Sequence, residues 1–239
     1  MKSYYEQSWT EARKSEFIGT GKANAFLRQV YVVMALGLAI TGLASYYLGV
    51  MNDELFYTIF SGPLRYVVMF SPFAFILALS FGLERMSFST VNILFAVFSA
   101  VMGLSLSYIF KVYSMGSIFQ TFLITSGTFG AMSLVGLTTK VDLSRYSSFL
   151  YMGLIGLIIA MVVNWFMQSS AFDYIISFIG VGLFCGLTAW DTQRLMQMGA
   201  HADTENEGVK KAVVMGALAL YLDFINLFLF LLRFFGSRD

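Results

Sequence analysis

Seven apolar runs alternate with short polar connections along this chain. Each is long enough for a helix that crosses the hydrocarbon layer of a bilayer, which takes about 20 apolar residues. The runs predict spans near residues 29–50, 64–83, 89–111, 116–138, 146–167, 173–195 and 210–234. The short connections make neighbouring spans antiparallel hairpins, and no long soluble segment interrupts them. The expected architecture is all-α: a polar segment over 1–22, then one seven-helix transmembrane bundle over 23–239. No internal repeat is evident, which counts mildly against the inverted-repeat transporters.

The pattern is broken in two places. Asp191 lies in the sixth run, within Gly186-Leu-Thr-Ala-Trp-Asp191, and Asp223 lies in the seventh, within Ala219-Leu-Tyr-Leu-Asp223. A charged carboxylate at the centre of a membrane helix costs roughly 2.5–3.5 kcal/mol on the insertion scale, so an acid there marks a functional candidate.

Composition narrows the classes. Hydrophobic residues make up 58% of the chain and charged residues 12%, which leaves too little polar surface for a water-soluble fold. The net charge of +1 argues against a basic nucleic-acid surface, so no nucleic-acid partner is expected. One cysteine, Cys185, and one histidine, His201, exclude an intrachain disulfide and fall short of a thiolate or imidazole zinc site. Residues 1–28 have neither the apolar core nor the cleavage pattern of a signal peptide.

Lysine and arginine placement predicts orientation. The N-terminal segment and the connections after spans two, four and six hold Lys2, Arg13, Lys14, Lys22, Arg28, Arg85, Lys140, Arg145, Arg194, Lys210 and Lys211. The opposite side holds Arg65, Lys111, Arg233 and Arg238, and its loops at 51–63 and 168–173 add Asp53, Glu54 and Asp173. The N-terminus is therefore expected in the cytoplasm and the C-terminus outside.

The last two spans form a hairpin around the polar turn from His201 to Gly208, and the midpoint between Asp191 and Asp223 falls at residue 207. Equal rise on both sides of the turn brings the two acids to one depth, in the cytoplasmic half of the membrane. Thr188 and Asn226, each three residues from an aspartate, share its helical face and predict a small polar cluster. Two close carboxyls in a low dielectric cannot both ionise cheaply, so the pair keeps one proton and titrates in two separated steps. Fully ionised, it attracts a cation. Calcium takes six to eight oxygens, so a site built on Asp191 and Asp223 alone is weak and hydrated. Arg85, closing the second span, either latches Asp191 by a bidentate pair or anchors at the headgroups, and Arg194 competes for the same carboxylate. The structural alternative for the aspartates is a helix clamp without further role. Serine, threonine and asparagine residues of spans three to five (Ser99, Ser105, Thr125 and Asn164 among them) are expected as helix–helix hydrogen bonds. Pro72 removes a helical hydrogen bond and is expected to bend the second span.

The run Ala219-Leu-Tyr-Leu-Asp-Phe-Ile-Asn-Leu-Phe228, with Leu231-Leu-Arg-Phe-Phe-Gly236, resembles the closing signature of the transmembrane Bax inhibitor motif family. Gly186-Leu-Thr-Ala-Trp-Asp-Thr-Gln193 is similar to its sixth-helix motif, with Trp190 where tyrosine is usual. The resemblance spans about residues 23–236. It implies a bundle with a central last helix and a pH-sensitive calcium leak, gated by a dyad that corresponds to Asp191 and Asp223. It also implies an arginine latch at Arg85 and, for a chain this compact, a bacterial inner-membrane home. Calcium is then the permeant ion, protons and membrane lipid are the other partners, no cofactor is needed, and no enzymatic activity is expected.

Two rivals use the same acids. An intramembrane aspartyl protease carries Gly-x-Gly-Asp in its seventh span and a later Pro-Ala-Leu loop, whereas Leu220-Tyr-Leu precedes Asp223 and no proline follows Pro72. A proton-coupled secondary transporter would use the carboxylates as a relay.

Overall fold

The computed structural model describes residues 2–202 and 206–237, with side chains from residue 20 onward. The side chains of Lys2, Arg13 and Lys14, the turn residues Asp203, Thr204 and Glu205, and Arg238 lie outside the described residues. The described chain is helical throughout, as α1 (Lys2–Tyr46), α2 (Asp53–Phe60), α3 (Leu64–Gly82), α4 (Phe88–Leu106), α5 (Ile109–Val112), α6 (Met115–Thr138), α7 (Ser147–Met167), α8 (Ser170–Ala200) and α9 (Glu207–Phe235). Seven segments are long and apolar enough to cross a membrane: Thr20–Met51, Leu64–Gly82, Phe88–Val112, Met115–Thr138, Leu143–Met167, Ser170–Ala200 and Glu207–Phe235. All seven expected runs are among them.

Local chemistry sets the helix starts. Free N–H groups in a first turn need acceptors. Ser87, Ser114 and Ser169 accept from Thr90, Ser117 and Phe172 backbone N–H at 3.3 Å each, and Asn206 accepts from Gly208 N–H at 2.7 Å. The span expected to continue to residue 111 is interrupted at Ser107, whose hydroxyl donates to Leu104 O at 2.7 Å. The polar segment before the first span is part of the same helix, α1.

Burial separates the helices. In α9, 72% of the membrane-spanning window is covered by protein, against 6% in the Leu143–Met167 segment and 11% in α3. The last helix is therefore the axis, packed on α8, α1, α6 and α4, while α7 and α3 face outward. Lipid tails offer no hydrophobic gain over protein, so contacts here depend on close approach and internal hydrogen bonds. Gly103 meets the Thr41 carbonyl, and Gly136 meets the Ala189 carbonyl, so closely that a Cβ at either position would collide with backbone. Gly153 and Gly180 also sit at helix contacts, against Leu183 and Phe230, whereas Gly156 and Gly182 border open space.

Pro72 lies inside an unbroken α3. Its missing N–H leaves the Val68 carbonyl without the usual partner four residues on. Ser105 of α4 donates to that carbonyl at 2.5 Å and Ser71 at 3.0 Å. The proline thus fastens α3 to α4 by freeing an acceptor. Ser105 is an interhelical link as expected, but Ser99, Thr125 and Ser126 donate to carbonyls one turn back on their own helices.

Candidate functional site

Asp191 and Asp223 project from the interiors of α8 and α9 into the contact between them. Both are buried, with 9% and 5% of their surface exposed, and their carboxyl groups lie within hydrogen-bond reach of each other. Antiparallel helices around a short connection account for the match in depth. One Asp223 oxygen, Oδ2, is buried without any hydrogen-bond partner. A buried unpaired carboxylate oxygen is costly. A shared proton meets that cost in part, because a protonated carboxyl donates to its neighbour instead of repelling it.

The nearest cation is Arg194, one turn along α8, with Nη1 3.8 Å from Asp191 Oδ1. Its guanidinium also lies over the Trp190 ring, 5.5 Å from the centroid. Trp190 is held edge-on by Tyr151 of α7 at 5.5 Å. Arg194 is half exposed, so this long ion pair contributes little stability by itself. Residues 192 and 193 tie the dyad's helix to its surroundings. Thr192 Oγ1 lies 3.4 Å from Tyr31 Oη and donates to Ser133 Oγ at 3.5 Å. Gln193 accepts from Leu143 N–H at 2.8 Å and donates to Val141 O at 2.9 Å, closing the α6–α7 connection onto α8.

The other expected members are not gathered at the dyad. Thr188 donates to Phe184 O and Asn226 to Leu222 O, each at 2.8 Å and each on its own helix. A hydroxyl or amide buried in lipid-facing structure takes the nearest carbonyl, and the one a turn back is always within reach. The latch expected of Arg85 is not formed in this structure. Arg85 is exposed in the turn after α3 and is in none of the ion pairs among the described residues. α3 packs chiefly on α4, and its end meets the first turn of α9, where Lys211 donates to Leu83 O at 3.5 Å. Among the described residues no group of three or more His, Cys, Asp or Glu side chains gathers to hold a metal ion. A cation meeting Asp191 and Asp223 would keep much of its water.

Sequence reasoning overlooked two polar nodes. Tyr221, fully buried on α9, has its hydroxyl 2.7 Å from Thr41 Oγ1, and Thr41 donates to Ser99 O at 2.8 Å. This joins α9, α1 and α4 two residues from Asp223. At the far end of the α8–α9 pair, Arg233 donates to Asp173 Oδ1 at 3.2 Å and Asn164 Nδ2 donates to the same oxygen at 3.3 Å. They border a cavity of about 770 Å³ shared with Gln168, Ser170 and Tyr174. The signal for this pair was available: positions 173 and 233 are centred on the same polar turn that pairs 191 with 223. The Tyr221 contact had no such signal, because it joins helices distant in sequence.

Residues 23–239 match the protein family described as inhibitor of apoptosis-promoting Bax1. The chain is 42% identical over 215 residues to the inner membrane protein YbhL of Escherichia coli K12, covering 89% of this chain and 92% of that one. It is 41% identical over 234 residues to the uncharacterized protein RP147 of Rickettsia prowazekii, covering 98% of each. An uncharacterized protein of Deinococcus radiodurans is 40% identical over 240 residues, the full length of both.

Proposed function

This chain belongs to the Bax inhibitor family, and on that premise we propose that it is a pH-sensitive calcium leak of the bacterial inner membrane, gated by the Asp191–Asp223 pair. The observation that carries the reading is two buried carboxyl groups from adjacent helices, within hydrogen-bond reach, one with an unpartnered oxygen. With one proton shared, the pair carries a single negative charge and holds α8 to α9. With the proton lost, two like charges repel across that contact and attract a divalent cation. The same event thus changes both the helix contact and the affinity for the ion. Few fixed ligands and a hydrated ion suit passage over storage.

The relative YbhL is an inner membrane protein by name, which supports the location. The excess of basic residues around the N-terminus and the α8–α9 connection supports a cytoplasmic N-terminus, an external C-terminus and a dyad in the cytoplasmic half. In this reading Arg194, with Nη1 3.8 Å from Asp191 Oδ1, supplies a weak counter-charge to the dyad.

The test is calcium entry into vesicles holding the purified protein, followed across pH with no other solute. The leak reading requires flux that changes with pH in the parent chain and loses that dependence in Asp191→Asn and Asp223→Asn. Flux that appears only with a counter-transported solute would instead identify a proton-coupled transporter using the same acids.

A further inference from the structure

A second cavity, of about 320 Å³, opens where α1, the start of α4 and the start of α9 converge. Arg28 and Gln29 of α1, Asn92 of α4 and Lys210 of α9 line it, above walls formed by Val32 and Val213. Among the described residues neither Arg28 nor Lys210 has an ion-pair partner. The nearby acid is already engaged: Glu207 accepts from Phe88 N–H at 2.9 Å and lies 3.9 Å from Lys211 Nζ. Two helices, α4 and α9, begin beside this cavity at Phe88 and Glu207, and helix starts present partial positive charge. Among the described residues, two cations without an ion-pair partner and two side-chain amides therefore line the cavity beside two helix starts, while the Glu207 carboxylate is turned to Phe88 N–H and Lys211. Below the charges, Val32, Leu36 and Leu43 are 54%, 60% and 72% exposed along α1. They form an apolar track of the kind that meets acyl chains.

We propose that this groove is a binding site for an anionic phospholipid, its phosphate held by Arg28 and Lys210 and one acyl chain laid along the Val32–Leu36 face. A free phosphate would satisfy the cations but would leave the apolar track uncovered. A zwitterionic lipid would bring its own cation into a cluster that already has two. The groove lies at the basic end of the bundle, where an anionic headgroup and the helix ends share one level. The proposal concerns binding alone and stands independently of the leak.

The experiment uses the full-length chain in detergent, with native mass spectrometry counting lipids retained after addition of phosphatidylglycerol or phosphatidylcholine. The parent chain should retain its first phosphatidylglycerol far more strongly than phosphatidylcholine. Arg28→Gln with Lys210→Gln should weaken that retention by about thirtyfold, from roughly fivefold per basic residue. The matched pair Lys140→Gln with Arg145→Gln removes the same charge from exposed positions at the same end and should retain the lipid. Equal retention of the two lipids would overturn the proposal, as would an unchanged Arg28/Lys210 double variant or an equal loss in the Lys140/Arg145 control. Displacement of the lipid by millimolar glycerol phosphate would show that a soluble phosphate is the ligand and would overturn it too. Circular dichroism and gel filtration of both double variants should match the parent. A misfolded Arg28/Lys210 variant would assign those side chains to the fold and count against the site.

Discussion

The α8–α9 pair carries an acid-bearing contact toward each end, and the two are built on opposite principles. At one end Asp173 meets Arg233 at 3.2 Å and Asn164 at 3.3 Å, with the charged groups about one-third exposed. Opposite charges and an amide meet there, and the geometry of that contact is that of a clamp. At the other end Asp191 meets Asp223, two acids with 9% and 5% exposure, one oxygen unpartnered and the only cation in ion-pair range among the described residues at 3.8 Å. On the proposed reading, like charges in a low dielectric make that contact depend on a proton. The same two helices thus hold one contact between opposite charges and, as proposed, one conditional joint between like charges.

The largest effect is expected at the dyad. Asp223→Asn should reduce calcium flux by more than about tenfold and flatten its pH response, because a unit charge about 4 Å away is worth roughly 4 kcal/mol at an effective dielectric of 20. Its thermal stability in detergent should not fall, since the change removes a like-charge contact. If the variant loses thermal stability while its flux keeps the parent's pH response, the dyad is only a clamp.

Removing the cation at the other end should reverse this. Arg233→Gln leaves Asp173 with the Asn164 amide alone and should cost roughly 1–2 kcal/mol, discounted from the buried-pair range for exposure. That is a fall of several degrees in melting temperature for a chain of this size. The flux-against-pH curve of Arg233→Gln should keep its shape. A flattened curve would make the far contact part of the titrating element.

Arg194→Gln tests the weak counter-charge. At 3.8 Å and half exposed, it should move the midpoint of the flux curve by less than about one pH unit and leave the plateau intact. A constitutive leak would give Arg194 the latch role in full. The smallest effect is expected from Arg85→Ala, since Arg85 is exposed and in no ion pair among the described residues. Neither flux nor melting temperature should change measurably, and a permanently open Arg85→Ala protein would restore the latch there.

Much of this was legible without coordinates, and for a clear reason. The bilayer requires long apolar helices and penalises buried charge, so seven runs and two misplaced acids read directly as spans and site. The antiparallel hairpin then matched 191 with 223 by counting from one turn. Thr188 and Asn226 show where counting stops. Sharing a helical face with an aspartate did not decide which acceptor each polar group would take, and the carbonyl one turn back was nearer. For Arg85, position at the end of a span does not say which helices that span touches, and in this structure it forms no ion pair among the described residues.

The order of helices along the chain, their lengths and the depth of the two acids follow from the amino-acid sequence, since each depends on local hydropathy or on counting residues through a connection. Which helix forms the axis is a property of packing. The 72% burial of α9 against 6% in the Leu143–Met167 segment arises from contacts among distant segments, in runs of equal hydropathy. The tertiary structure likewise set Arg194 beside Asp191, engaged the Val68 carbonyl with Ser105, joined Tyr221 to Thr41 and placed Arg28 beside Lys210, neither with an ion-pair partner among the described residues. Each of these depends on distances between helices, and inside a membrane, where every apolar surface is equally content with lipid, only close packing and hydrogen bonding choose among them.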